Sequence, residues 1–111
     1  MIKEELLMET SNLLPRRTGL PYSVWVDDAG MDREVSHNIL RLKYGPSYDD
    51  CVTIPFFDKK DLYEAIGELK KGKLNMKQIS KWINLNYANL IEFYTNADYD
   101  FKDFIDNMKT I

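Results

Sequence analysis

Cysteine and histidine are almost absent from this chain of 111 residues, which has one of each, Cys51 and His37. A single cysteine excludes an internal disulfide and any zinc site built on cysteines. No run of apolar residues exceeds four, whereas a helix that crosses a bilayer needs about 20. The first ten residues also lack the apolar core of a signal peptide. We therefore expect a cytoplasmic protein with no membrane partner.

A strong overall charge is missing too. The net charge is −3, so the chain as a whole has no electrostatic attraction to nucleic acid or to an anionic membrane. The charge is nevertheless uneven, because residues 58–81 carry seven lysines against four acids and residues 92–106 carry five acids against one lysine. We expect these two segments either to face each other or to face different partners.

What the chain does contain is enough apolar surface for a core. Its composition is 44% hydrophobic and 13% aromatic, which is typical of a folded globule. The length fits one domain over residues 1–111 and leaves little room for two.

The first half of the chain predicts β-strands at 22–27, 34–44 and 51–56, with Gly45-Pro46 ending the second strand. Residues 10–21 predict an ordered loop, and residues 2–9 fit either a short helix or an edge strand. Short links favour an antiparallel meander of three strands, or four if residues 2–9 join it. Alternation places one set of side chains inward, namely Leu40, Leu42, Tyr44, Val52, Ile54 and Phe56, and another set outward, namely His37, Arg41 and Lys43.

The second half has helical periodicity, and one cap pattern occurs three times: an apolar residue, an Asp or Asn, an acid or amide three positions on, then an apolar residue. The three copies are Phe57-Asp58-x-x-Asp61-Leu62, Leu74-Asn75-x-x-Gln78-Ile79 and Tyr99-Asp100-x-x-Asp103-Phe104. They predict helices over 59–70, 76–94 and 101–109, with Leu62, Ile66 and Leu69 buried along the first and a bend near Leu85-Asn86 in the second. Strands followed by helices predict an α+β fold with the helices on one face of the sheet.

Basic side chains are the main candidates for chemistry. His37, Arg41 and Lys43 form a row that could bind phosphate or carboxylate, or could simply keep a strand face soluble. Arg16 and Arg17, together with the lysines of 58–81, could contact phosphates or could lie on a solvated face.

Other candidates are weaker. The acids of 27–34 with His37 could hold a divalent metal, but their spacing matches no known loop motif and acids are ordinary turn residues. Asn86 interrupts a helical stripe, where it could bind a partner's backbone or mark the bend. Cys51 has no cationic neighbour in sequence that would activate it as a nucleophile. We predict no catalytic residue, metal or cofactor.

Three short motifs lie along the chain: Asn12-Leu13-Leu14-Pro15-x-x-Thr18-Gly19-Leu20-Pro21 with Val24-Trp25-Val26, then His37 with Arg41-x-Lys43, then Ser80-x-Trp82-Ile83-x-Leu85-Asn86-x-x-x-Leu90-Ile91. Together they resemble a small uncharacterised bacterial family found as hypothetical proteins in mobile-element or prophage settings. The resemblance spans nearly the full chain, although residues 57–73 look longer and more helical than in that family. More distantly, the chain is similar to domains of unknown function suspected of belonging to toxin–antitoxin pairs. The resemblance implies a fold and a setting, and it transfers no catalytic residue.

The sequence thus favours a non-enzymatic module that binds a macromolecule, first of all a protein. Aromatic residues and amides suited to interfaces support this expectation. The alternative is a nucleic-acid-directed factor, either a binder or a metal-dependent nuclease. Self-association into a purely homo-oligomeric structure, through an unpaired edge strand, is a third class. The candidate binding residues are Arg16, Arg17, His37, Arg41, Lys43 and Asn86.

Overall fold

A computed structural model describes residues 10–27 and 40–111, which form an antiparallel sheet packed against helices. The strands lie side by side in sequence order: β1 Thr10–Leu13, β2 Ser23–Asp27, β3 Arg41–Ser47 and β4 Asp50–Pro55. The helices are α1 Pro15–Thr18, α2 Met76–Leu85, α3 Tyr87–Thr95 and α4 Phe101–Asn107. The predicted α+β class and meander are confirmed. The predictions for residues 2–9 and for 28–39 lie outside the described residues.

The strand register sorts the two faces of the sheet. One row across the four strands joins Leu13, Val24, Tyr44 and Val52, and all four side chains are buried. The adjacent row joins Asn12, Trp25, Lys43 and Thr53, which therefore point to the opposite face. The six residues that alternation predicted to point inward are all buried, so their assignment to the core is confirmed: Leu40, Leu42, Tyr44, Val52, Ile54 and Phe56.

Two predictions about the sheet are wrong. The predicted loop over residues 10–21 contains strand β1 and the single helical turn α1. Its short polar strand is stabilised by pairing with β2, which local sequence does not reveal. Gly45-Pro46 does not end β3, because the strand continues to Ser47 through a register shift after Tyr44. Gly45 permits this irregularity, since the backbone of Asp50 and Cys51 leaves no room for a β-carbon there.

The helices close the core over one face of the sheet. α2 buries Ile79, Trp82 and Ile83 at spacings of three and four residues, as predicted. The Tyr94 hydroxyl of α3 donates a 2.6 Å hydrogen bond to the carbonyl of Arg41 on β3. The fully buried aromatic side chains are Tyr44, Phe56, Tyr63, Trp82, Phe93, Tyr94 and Phe104. None of the described helices is long and apolar enough to span a membrane.

The predicted bend in the central helix is confirmed at Asn86, which separates α2 from α3. Its backbone, at φ −112° and ψ 17°, leaves the helical region. Its side-chain amide donates to the carbonyls of Trp82 and Lys109, both at 3.0 Å, and accepts a 2.7 Å hydrogen bond from the Lys109 backbone. This buried amide therefore fixes both the bend and the segment that follows α4.

That last segment also bonds to α1. The backbone N–H of Ile111 donates to the Thr18 carbonyl at 3.0 Å, and the Thr110 hydroxyl donates to the Arg17 carbonyl at 2.6 Å. Residues 108–111 thereby connect the bend at Asn86 to α1.

The three cap patterns have different outcomes. Asn75 caps α2 and Asp100 forms a reciprocal capping box with Asp103 on α4, so both predicted helix starts are confirmed. The helix predicted over 59–70 is wrong, because residues 57–74 contain neither helix nor strand. Gly67 adopts φ +98°, and Ile66 pairs instead with Thr53 of β4. A long-range backbone pair thus replaces the local helix, and Leu62 and Ile66 are exposed.

Replacing Asn86 by alanine should lower the free energy of unfolding by about 3 kcal/mol, since three side-chain hydrogen bonds are lost and the partly buried backbone groups of Lys109 lose their partner. Urea denaturation measures this change. Asn12→Ala is the matched control, because Asn12 is exposed, and it should change stability by less than about 0.5 kcal/mol. Equal effects of the two substitutions would contradict the assigned role of Asn86.

The capping box predicts a pH dependence. The backbone N–H of Asp103 donates to the Asp100 carboxylate at 2.9 Å and thereby lowers the pKa of Asp100. A lowered pKa in the folded state stabilises α4 above the ordinary Asp pKa of about 4, and this stabilisation disappears as the pH falls through the folded-state pKa. Asp100→Asn still caps but does not titrate, so its melting temperature should fall less than that of the parent protein below about pH 4. Parallel losses in thermal melts over a pH series would refute this assignment.

Candidate functional site

Residues 57–74, which we call the strap, run along the edge of the sheet at β4. The backbones of Ile66 and Thr53 exchange two hydrogen bonds, of 2.7 and 3.1 Å. Further along, the carboxylate of Asp50 accepts hydrogen bonds from the backbone N–H groups of Lys70 and Lys71, at 2.7 and 3.0 Å. The strap therefore covers part of an edge that would otherwise offer unpaired backbone groups to another strand.

A set of side-chain hydrogen bonds fastens the strap to α2. The hydroxyl of Tyr63, a side chain only 1% exposed, donates to the Asn84 Oδ1 at 2.7 Å and accepts from the Lys60 backbone N–H at 3.1 Å. Asn84 also donates to the Lys60 carbonyl at 2.7 Å, and the Ser80 hydroxyl accepts from the Tyr63 N–H at 2.8 Å. Burial raises the pKa of the Tyr63 hydroxyl, so this group stays protonated and remains a donor at neutral pH.

The first residues of the strap are held by α3. The Tyr87 hydroxyl donates to the Phe57 carbonyl at 2.6 Å, and the Lys59 ammonium lies 5.4 Å from the centre of the Tyr87 ring. Burial, with a smaller contribution from the charge of Asp58, raises the pKa of the Tyr87 hydroxyl. The strap is thus attached at both ends and in the middle.

Although it is fixed in this way, the strap leaves large apolar side chains in solvent. Leu62 is 52% exposed, Ile66 is 63% exposed and Phe57 is 40% exposed. A cleft of about 170 Å³ opens beside Ile66 and is lined by Pro55, Lys60, Tyr63, Glu64, Ala65 and Ile66. An ordered apolar surface with charged side chains around it has the anatomy of a protein-binding site.

A second cleft, of about 330 Å³, lies between α3 and α4. Several of its polar side chains already bond one another. Asn89 donates to the Phe104 carbonyl at 2.9 Å and accepts a short hydrogen bond from Tyr99, whose hydroxyl in turn accepts from Asn107 at 2.9 Å. These hydrogen bonds join the two helices, so much of the polar lining of this cleft has a structural role.

The predicted site residues fall on different parts of the molecule. Arg16 and Arg17 are exposed on α1, whereas Arg41 is exposed on β3 and Lys43 is half-buried beside it. α1 follows Leu13, the last residue of β1, which is level with Tyr44 in the sheet. Arg41 is the first residue of β3 and lies three residues before Tyr44, on the side of the sheet away from α1. The amide of Asn86 is buried and occupied by internal hydrogen bonds, and the structure therefore assigns it to folding. His37 lies outside the described residues.

Arg41 and Lys43 do share the outward face of the sheet, as the alternation predicted. The Lys43 ammonium donates to the Thr53 hydroxyl at 3.4 Å across the β3–β4 pair. Next to Lys43, Trp25 packs edge-to-face against Tyr48 with 5.6 Å between ring centres, and Tyr48 is 52% exposed. This face therefore combines an aromatic pair with two cations.

The sequence did not identify the exposed pair Leu62 and Ile66, because their spacing of four residues fits a buried helical stripe. The signal that could have warned of this is Gly67, which is a poor helix former directly after Ile66. Among the acids of the 27–34 segment, only the backbone of Asp27 is described, as part of β2, so the metal hypothesis stays a prediction.

Comparison of the chain with protein-family models, with curated proteins and with solved structures found no match. The resemblance to a bacterial family of unknown function therefore stays a prediction. What the molecule can bind has to be inferred from its own surfaces.

Cys51 provides a test of the electrostatics of the sheet. Burial raises the pKa of its thiol, the charge of Lys43 opposes this effect, and Asp50 and Asp49 add to it. A higher pKa means less thiolate at a given pH, so alkylation by iodoacetamide near pH 8 should be slower than that of an unstructured cysteine peptide.

Because there is only one thiol, single substitutions can be ranked directly. Lys43→Met should slow the alkylation further and Asp49→Asn should accelerate it, and mass spectrometry over time gives both rates. A rate equal to that of the free peptide, or the reverse order of the two variants, would show that the described surroundings of Cys51 are wrong.

Proposed function

We propose that this chain is a non-enzymatic binding module that acts on a protein partner, and that the strap is the surface it uses. The observation that carries the proposal is the exposure of Leu62 and Ile66 on a segment held in place by hydrogen bonds. Burying such side chains against a partner gains about 25 cal/mol for each Å² of apolar surface removed from water.

The fixed conformation of the strap supports the proposal as well. Irregular segments longer than about 12–15 residues are uncommon in small domains, and the ordered ones are commonly binding loops or lids. Here Tyr63, Asn84 and Ser80 have already ordered the backbone, so a partner need not supply that conformational entropy on binding.

The charge around the apolar residues favours a protein over a small ligand. Lys60, Asp61, Glu64 and Glu68 are all exposed on the strap, so both signs of charge surround Leu62 and Ile66. An apolar centre with a mixed polar rim is typical of protein–protein interfaces. The absence from the sequence of a motif that pairs a nucleophile with a base supports the non-enzymatic part of the proposal.

The partner is not expected to bind by adding a strand at the β4 edge. Such pairing is disfavoured, because the backbone of Thr53 is already paired with Ile66 and Pro55 has no N–H to donate. The apolar side chains of the strap are therefore the part of this region that a partner can use.

The test is a double substitution, Leu62→Asp with Ile66→Asp, in the tagged full chain. Proteins captured by the parent chain are identified by quantitative mass spectrometry, purified and measured directly by calorimetry. We expect the double variant to weaken the binding of the true partner by at least about tenfold, which corresponds to about 1.4 kcal/mol.

Leu85→Asp is the matched control, because Leu85 is 43% exposed on α2 and does not belong to the strap. It should leave the affinity within about twofold. Thermal melts must show that all three chains are folded. Undiminished binding by the double variant, or equal losses in both variants, would overturn the proposal, and sedimentation velocity reports whether the captured protein is a second copy of the chain.

A further inference from the structure

The cleft between α3 and α4 carries one charge of each sign in its lining. It measures about 330 Å³, and both Glu92 and Lys109 line it. Both side chains are exposed, and neither forms an ion pair within the part of the chain that the structure describes. Asp106, the acid nearest to Lys109 in sequence, is instead paired with Lys102 at 2.9 Å. Two opposite charges thus share one cleft without an ion pair between them.

Glu92 occupies an electrostatically unfavourable position for a carboxylate. It lies in the last turn of α3, where the helix dipole places partial negative charge, and this turn contains no basic side chain. The side-chain amide of Asn96 donates a 2.6 Å hydrogen bond to one carboxylate oxygen of Glu92, Oε2, and so orients the group. The other oxygen can accept from a ligand. This part of the cleft therefore favours a cationic group.

Lys109 supplies the opposite charge from a fixed backbone position. Its N–H donates to Asn86 Oδ1 at 2.7 Å, and its carbonyl accepts from Asn86 Nδ2 at 3.0 Å. Asn86 precedes Glu92 by six residues, which corresponds to roughly 9 Å at the helical rise of about 1.5 Å per residue. The two side chains can therefore approach one ligand from different directions, the carboxylate from α3 and the ammonium from the segment after α4.

Much of the remaining lining is already ordered. The polar groups of Asn89, Tyr99 and Asn107 bond one another and the backbone of α4. Leu85 and Ala88, three residues apart and so on one side of the α2–α3 rod, add an apolar surface. The cleft thus offers two charges for the ends of a ligand and an apolar surface for its carbon atoms.

We propose that this cleft binds a small zwitterion of the amino-acid class, with its ammonium against Glu92 and its carboxylate against Lys109. Sites for small molecules occupy about 300–1,000 Å³, so a cleft of this size fits a ligand at the small end of that range. Charge-assisted hydrogen bonds are roughly twice as strong as neutral ones, and a zwitterion makes one at each end. A simple anion would be repelled by Glu92 and a simple cation by Lys109, so the ligand that matches both carries both charges.

This inference goes beyond the proposed protein binding and uses different residues. Leu62 and Ile66 are on the strap and do not line this cleft. A ligand here would contact α3 and the segment after α4 together, so its binding should also raise the melting temperature of the chain.

The experiment titrates the isotope-labelled full chain with glycine, γ-aminobutyrate and L-leucine and follows its amide signals by NMR. At least one of these zwitterions should bind saturably below about 10 mM and shift the signals of Ala88, Asn89 and Asn107 most. For the tightest of the three, the analogue without the amine and the analogue without the carboxylate should each bind at least about tenfold more weakly, since each loses one charge-assisted contact.

Single substitutions test the two charges. Glu92→Gln and Lys109→Gln should each weaken binding at least about tenfold, and both keep the bonds to Asn96 and Asn86, because glutamine still accepts at residue 92 and the backbone of residue 109 is unchanged. Glu68→Gln and Lys81→Gln are the matched controls. They remove the same charges from exposed positions outside the cleft and should stay within about twofold.

A further substitution tests the cleft without changing its charge. Ala88→Leu fills the space beside the two charged side chains and should abolish binding, whereas Ala97→Leu, at an exposed position outside the cleft, should leave it intact. Thermal melts without ligand must show that every variant is folded.

The inference fails if none of the three zwitterions binds below about 10 mM. It also fails if an analogue with a single charge binds as tightly as the zwitterion, or if the charge variants lose no more affinity than their controls. All of these variants keep Leu62 and Ile66, so failure here leaves the protein-binding proposal standing, and the reverse also holds.

Discussion

The structure depends on one constraint. The strap forms no helix or strand of its own, so the hydrogen bonds of its backbone N–H and C=O groups must come from other segments. Buried N–H and C=O groups that lack partners are costly, so an irregular segment of this length needs partners from elsewhere. Asn84 and Ser80 supply them from α2, and Thr53 and Asp50 supply them from the sheet. The candidate protein-binding surface follows from this arrangement, because the same hydrogen bonds that order the strap also hold the backbone that carries Leu62 and Ile66.

Asparagine plays a similar part throughout the helical layer. Asn84, Asn86 and Asn89 are poor helix formers, yet each one bonds a segment far away in sequence: the strap, residue 109 and α4 respectively. An amide can donate and accept at once, so one side chain can cross-link two stretches of backbone in a chain that has no disulfide to do so. The indole N–H of Trp82 differs from these amides, because it is buried without a hydrogen-bond partner among the described residues.

The predictions were correct where local sequence determines the structure, and wrong where a contact between distant residues does. The inward and outward faces of β3 and β4 and the bend at Asn86 follow from local periodicity and local propensity, and both were predictable. Three similar cap patterns predicted three helices, but the one at Asp58 begins none, because Ile66 pairs with Thr53 and Gly67 takes a positive φ. The close approach of Tyr22 to Gly72 shows the same limit, since nothing in the local sequence pairs these two residues.

Covering the β4 edge does not by itself explain why Leu62 and Ile66 are exposed. The strap pairs that edge through the backbone of Thr53, and Pro55 further limits strand addition, so a shorter polar link could form the same backbone pair. Full burial of an exposed leucine or isoleucine contributes about 1.5–3 kcal/mol, and Leu62 and Ile66, which are 52% and 63% exposed, each forgo roughly half of that. Folding stability would therefore favour the helix that the sequence pattern predicts, with both side chains packed on the core. The chain instead holds this segment with hydrogen bonds to α2 and to Thr53, and binding of the proposed partner would recover the lost burial.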